Sequence, residues 1–108
     1  MSYQVFLTDD AARDLEDLHS YIASNDTPDK ADYVLNKIAD VFSSLSENPK
    51  RGAFPKELLT LGLREYREIY FKPYRVIYRV DALKVYVMVI ADGRRDMQTI
   101  LQRRLFQV

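Results

Sequence analysis

A chain of 108 residues holds one domain and has no room for two cores. Its hydrophobic fraction of 47% is that of a globular protein, which argues against disorder. Cysteine is absent, so disulfide and thiol chemistry are excluded, and with one histidine the chain lacks the ligands of a zinc site.

The formal net charge of zero hides an asymmetry. Residues 1–50 contain four Lys+Arg and ten Asp+Glu, net −6, whereas residues 51–108 contain twelve and six, net +6. Such polarity fits either a basic binding face backed by an acidic one or a fold whose acidic helices lie against a basic sheet. There is no run of eighteen apolar residues and no basic, then apolar leader, so the expectation is a cytoplasmic protein without membrane contact.

Tyr3–Leu7 is short, apolar and aromatic and reads as a strand. Thr8 can cap a following helix, with Asp9 and Asp10 suited to its positive N-terminal end. Ala11, Leu15, Leu18 and Ile22 then recur at helical spacing. His19 borders that stripe and reads as a structural histidine. Thr27-Pro28 restarts the helical pattern, and Ala31, Val34, Leu35, Ile38, Phe42 and Leu45 form a second stripe that ends at Asn48-Pro49. The short turn between the stripes predicts an antiparallel helical hairpin.

Pro49 to Leu63 reads as a loop, with a short helical turn at Glu57–Leu61. Three strands follow, about Leu63–Phe71, Tyr74–Val80 and Lys84–Ala91, and their tight connections make them an antiparallel meander. Asp96 can cap a short C-terminal helix carrying Met97, Ile100, Leu101 and Leu105. The order is α+β, and an antiparallel sheet with the hairpin on one face would bury both stripes. Alternation places Tyr74, Val76, Tyr78 and Val80 toward the helices, and Arg75, Ile77 and Arg79 on the open face or its rim.

The element order, the Asn48-Pro49 helix end, Arg67-Glu68-Ile69, Pro73-Tyr74-Arg75-Val76-Ile77-Tyr78-Arg79 and Asp92-Gly93-Arg94-Arg95-Asp96 together resemble the RelE/ParE family of type II toxins. The resemblance spans nearly the whole chain. It implies a RelE/ParE-like fold and a cognate antitoxin, ParD-like or similar, that neutralises the toxin. It also poses a choice of target, because RelE-like members cut mRNA in the ribosome and ParE-like members poison DNA gyrase.

Metal-free RNA cleavage needs a base for the 2′-hydroxyl, cations for the phosphorane and an acid for the leaving oxygen. By the resemblance, Arg75 matches a central-strand arginine of the RelE-like nucleases and Arg95 one after their last strand. Their C-terminal tyrosine falls on Leu101 here, and the His-Tyr ending of some relatives on Phe106-Gln107-Val108. Their two first-strand lysines fall among Arg67, Glu68 and Tyr70. Arginine is a poor proton donor or acceptor near neutral pH.

The Arg67–Arg75 pattern and the Gly-Arg-Arg-Asp ending look more like ParE. The expectation is therefore a gyrase inhibitor without catalytic residues or cofactor, with Arg94, Arg95, Arg75 and Arg67 binding the target. Exposed apolar residues among Leu15, Leu18, Val34 and Phe42 would meet the antitoxin. Arg75 and Arg79 could instead pair with Glu65 or Glu68 across strands, and Arg94-Arg95 with Asp92 or Asp96. The acidic first helix is unsuited to gripping DNA, so sequence-specific nucleic-acid binding is not expected. Two alternatives stay open: a ribosome-dependent mRNA endoribonuclease, and a non-toxic module that only binds an antitoxin.

Overall fold

The computed structural model describes residues 2–106, and within them the local signals are met at the helix starts. Strand β1 (Gln4–Leu7) leads into helix α1 (Asp9–Asn25), where Thr8 Oγ1 accepts from the Ala11 amide at 3.1 Å. The same hydroxyl donates to the Val87 carbonyl at 3.1 Å, tying the helix start to the sheet. Helix α2 (Pro28–Ser43) begins on Thr27, whose Oγ1 accepts from Lys30 N, with proline in the first turn. A turn of 3-10 helix, Ser44–Ser46, continues it. His19 links the two helices through Nε2 and Asp32 Oδ1, 2.8 Å apart.

Helix α3 (Lys56–Leu59) is a single turn in the long loop. Then come β2 (Arg67–Phe71), β3 (Tyr74–Asp81), β4 (Lys84–Asp92) and helix α4 (Met97–Phe106). Leu63–Tyr66, expected as the start of β2, is not strand, because Leu63 N closes the end of α3 on Leu58 O and Tyr66 turns into a core. Asp96 caps α4 as expected, its carboxylate accepting from the amide and hydroxyl of Thr99.

The sheet order is β1-β4-β3-β2. The meander β2-β3-β4 is antiparallel, but β1 lies parallel to β4 with Gln4 opposite Lys84. The all-antiparallel sheet expected from sequence is therefore mixed. The helical hairpin is the long crossover that allows the first strand to run alongside the last.

One face of the sheet packs on the hairpin. Ala11, Ile22, Ala31, Val34 and Ile38 meet Ile69, Val76, Tyr78, Val85, Val87 and Ile90 there. The other face is not open, as expected, along its whole length. Leu58 of α3 and Met97 and Leu101 of α4 cover Ile77, Val89 and Ala91, with Tyr66 beside them. The chain thus packs two core clusters, one on each face of its single sheet, where its length suggested room for only one, and a bulge in β4 makes both possible. Ile77 pairs with Val89 and Tyr78 with Val87, so Met88 is the extra residue. Up to Val87 the odd-numbered side chains face the hairpin; past the bulge Ile90 does, and Val89 and Ala91 face α4.

Candidate functional site

The arginines singled out in the sequence do not form one surface. Arg75, on the central strand β3, is only 6% exposed and sits under α3 instead of on a rim. Its Nη1 and Nη2 grip both oxygens of Glu57 at 2.8 Å, and its Nε donates to Glu68 Oε1 at 2.7 Å. A forked guanidinium between two carboxylates is among the stronger protein ion pairs. It holds the Glu57 carboxyl below the usual range and keeps Arg75 charged at any accessible pH. Glu68 was one of the partners anticipated from strand alternation. Glu57 was not, because it lies in a loop helix 18 residues away.

The Arg75 stem also explains Gly93. A Cβ at Gly93 would lie 2.8 Å from Arg75 Cδ and 3.0 Å from the Pro73 carbonyl. That turn brings Arg94 beside a cleft of about 570 Å³ lined by Lys56, Glu68, Tyr70, Lys72, Arg75 and Arg94, among others. This is where the chemistry of a nuclease would have to sit. The Tyr70 hydroxyl reaches it, but burial first, and then the hydrogen bond with Glu68, pushes its pKa up, so near neutral pH it stays protonated and is a poor base. Leu101 is 1% exposed, in the core beneath α4. Histidine is absent from this cleft, since His19 lies on the hairpin. Gln107 and Val108, at the expected C-terminal position of a His-Tyr pair, lie outside the described residues.

Arg94 and Arg95 fall together, as expected from their adjacency. Both line a second cleft, of about 540 Å³, between α1 and the end of β4, opposite Asp14 and Asp17 and with Leu18, Tyr21 and Tyr74 in its wall. The Arg94 side chain is 76% exposed and pairs with Asp92, which lowers the Asp92 carboxyl below its usual range. Arg95 is exposed and has no ion pair among the described residues. Arg67 is elsewhere. It donates to the Gly52 carbonyl at 2.8 Å and lies over the Phe54 ring, holding the loop after α2 against β2.

The proposed antitoxin contacts also divide. Val34 is 3% exposed and belongs to the core, so it offers no surface. Leu15, Leu18 and Phe42 are half-buried at the margin of that core. The hairpin's exposed aromatics are Tyr21 and Tyr33, neither of which belongs to the two apolar stripes read from the sequence.

Comparison with known proteins decides the family. The family described as "ParE toxin of type II toxin-antitoxin system, parDE" matches residues 5–97. The chain belongs to this ParE toxin family. It is 30% identical over 101 residues to Toxin ParE3 of Caulobacter vibrioides, covering 94% of this chain and 97% of that protein. The ParE fold agrees. A chain of the chromosomal ParDE system of P. aeruginosa superposes with a TM-score of 0.71 at 18% identity, over 84% of this chain and 96% of that one. A chain of the RelBE2 toxin–antitoxin complex of Mycobacterium tuberculosis gives 0.62 at 22%, covering 85% of this chain and 99% of that one. E. coli RelE in the free state gives 0.57 at 16%, covering 93% of each. The protein is thus a type II toxin of the ParE/RelE group.

Proposed function

We propose that this ParE toxin acts by inhibiting DNA gyrase and is neutralised by a ParD-like antitoxin. The observation that carries the reading is the state of Arg75. The arginine a cleavage centre would use for phosphorane charge is clamped by Glu57 and Glu68. Two carboxylates around one guanidinium leave Arg75 itself no surplus positive charge for a phosphate, which only Lys56, Lys72 and Arg94 at the cleft wall could then meet. Arg94 and Arg95, by contrast, stand at the surface for a protein partner's acidic groups.

The test is a gyrase supercoiling assay with purified toxin. Supercoiling should fall with added toxin, and Arg94→Glu with Arg95→Glu should weaken inhibition at least about tenfold, the loss expected for reversing charges at an interface. Full supercoiling at excess toxin would sink the reading. New cuts in ribosome-bound message, lost on Arg95→Ala, would replace it with mRNA cleavage.

For the antitoxin, Leu18 and Tyr21 beside the cleft at the end of β4 are the anchors, with Leu15 and Phe42 further along the hairpin. Replacing Leu18 and Tyr21 by Asp should restore growth arrest in cells that co-express the antitoxin. Continued rescue by the antitoxin would place its docking surface elsewhere.

A further inference from the structure

Helices α3 and α4 cover one end of the second sheet face and leave the other end bare. On that bare end, Phe6 of β1 stacks on Tyr86 of β4, with ring centroids 5.8 Å apart and planes 24° apart. The Arg79 guanidinium lies over the other side of this row, 5.1 Å from the Tyr86 ring. Phe6 is 41% exposed although its neighbours Val5 and Leu7 pack against the core. Arg79 then enters a cleft of about 320 Å³ whose wall also holds Lys50, Arg64 and Arg67 against a single carboxylate, Glu65.

The cations lining this cleft are not held by carboxylates as several others are. Arg13, Arg75, Arg94 and Arg104 each hold a carboxylate within 2.8 Å. Arg79 reaches only Asp81, at 3.9 Å, and Lys50, Arg64 and Arg67 enter no ion pair among the described residues. Four cations facing one carboxylate make a cleft suited to an anion. An exposed phenylalanine stacked on the half-buried Tyr86, and continuous with the cleft through Arg79, makes a platform suited to a planar, apolar face. An acidic peptide would use the first feature and not the second. A nucleotide chain uses both, because phosphates track cationic grooves while bases stack on aromatic rings.

We infer that the Phe6–Tyr86–Arg79 row and the adjoining Lys50/Arg64 cleft bind a segment of single-stranded nucleic acid, with successive phosphates along the cations of the cleft and a base on Phe6. The mode is sequence-tolerant, since every base offers a π face. It uses neither the Arg75 cleft nor the Arg94-Arg95 surface, and does not depend on the gyrase reading.

Fluorescence anisotropy with short labelled oligothymidylate and oligouridylate tests it, the two arms separating DNA from RNA. Binding to at least one is expected at low salt, weakening with added salt along a log–log slope of about −2 to −3, as three or four neutralised phosphates require. Arg64→Glu, on an exposed loop residue, should weaken it about tenfold. Phe6→Ala should weaken it about fivefold or more through lost stacking, yet leave binding of inorganic polyphosphate unchanged. Circular dichroism checks that each variant is folded, and Arg64→Glu keeps the test valid if the Phe6 variant is not. No binding of either oligonucleotide at low salt would overturn the inference. So would equal binding by the Phe6 variant, or tighter binding of polyglutamate, which would make the face a site for acidic protein.

Discussion

At the residue scale the decisive group is Arg75. It is buried, forked onto Glu57 and bonded to Glu68, and its stem sets the size of residue 93. Removing one partner of such a buried pair costs about 3–5 kcal/mol, because the other charges are left unpaired. Arg75→Ala should therefore lower the free energy of unfolding by that order in urea titration. An unfolding curve unchanged by the substitution would return Arg75 to a role in target binding alone. Glu57 adds a pH dependence of definite sign. Its carboxyl titrates lower in the folded chain than the ordinary glutamate value of 4.5, so just below that pH the folded state binds fewer protons than the unfolded one. The stability it contributes is complete above about pH 4.5 and is lost as the pH falls through the folded pKa. Glu57→Gln should be less stable than the parent near neutral pH and flatter in acid; parallel acid unfolding curves for the two proteins would contradict this.

At the element scale the two-residue turn between β3 and β4 is imperfect. Ala82 has a φ of 54° there, the left-handed region in which a Cβ is strained. Ala82→Gly should stabilise the protein by about 1 kcal/mol, read as a higher Tm, and an unchanged or lower Tm would show that Leu83 and Lys84 already relieve the turn. Helix α4 is tied to α1 through Arg104, which lies 3.7 Å from Asp10 and pairs more closely with Asp14. Asp14 accepts from Ile90 N at 3.0 Å and from Arg104 at 2.8 Å, and Arg104 also donates to Met88 O. These groups cover the part of β4 that β1 is too short to reach. Asp14→Asn should speed amide exchange in α4 and at Ile90, consistent with the roughly 1.5–3 kcal/mol of hydrogen bonds to charged groups; unchanged exchange would assign α4 its stability from Met97 and Leu101. Capping residues, helical stripes and the meander were legible because each rests on neighbours in sequence. Asp14–Arg104 and Arg75–Glu57 were not, because partners 90 and 18 residues apart leave no local pattern. The covered second face was also hidden, since Val89 and Ala91 read as ordinary alternation until the extra residue Met88 changes which side they face. Of the residues expected at a site, Arg94 and Arg95 could be placed together from adjacency alone, while burial of Arg75 and Val34 depended on tertiary packing.

At the scale of the whole molecule, the opposed charges of the two halves end up on opposite sides of one sheet. The acidic hairpin covers one face, and the cations collect around the ends and rims of the other. A chain ending at Asp96 would lose α4 and expose Ile77 and Val89, both 0% exposed in the intact protein. Burial of Met97 and Leu101 alone is worth about 1.5–3 kcal/mol each. The truncated chain should bind a hydrophobic dye strongly and unfold at lower temperature; dye binding equal to that of the parent would mean that the second core closes without the helix.

The parallel pairing of β1 with β4 has a temporal side. Gln4 to Leu7 find their partners at Lys84 to Val87, so the first strand synthesised waits for the last. During translation the hairpin can form early, but the sheet that carries Arg67, Arg75 and Arg79 is incomplete until β4 has left the ribosome. A chain terminated before β4 lacks the strand that joins β1 to β3, and with it the Arg94-Arg95 surface. The topology thus confines the complete sheet, and any surface built on it, to chains synthesised through β4.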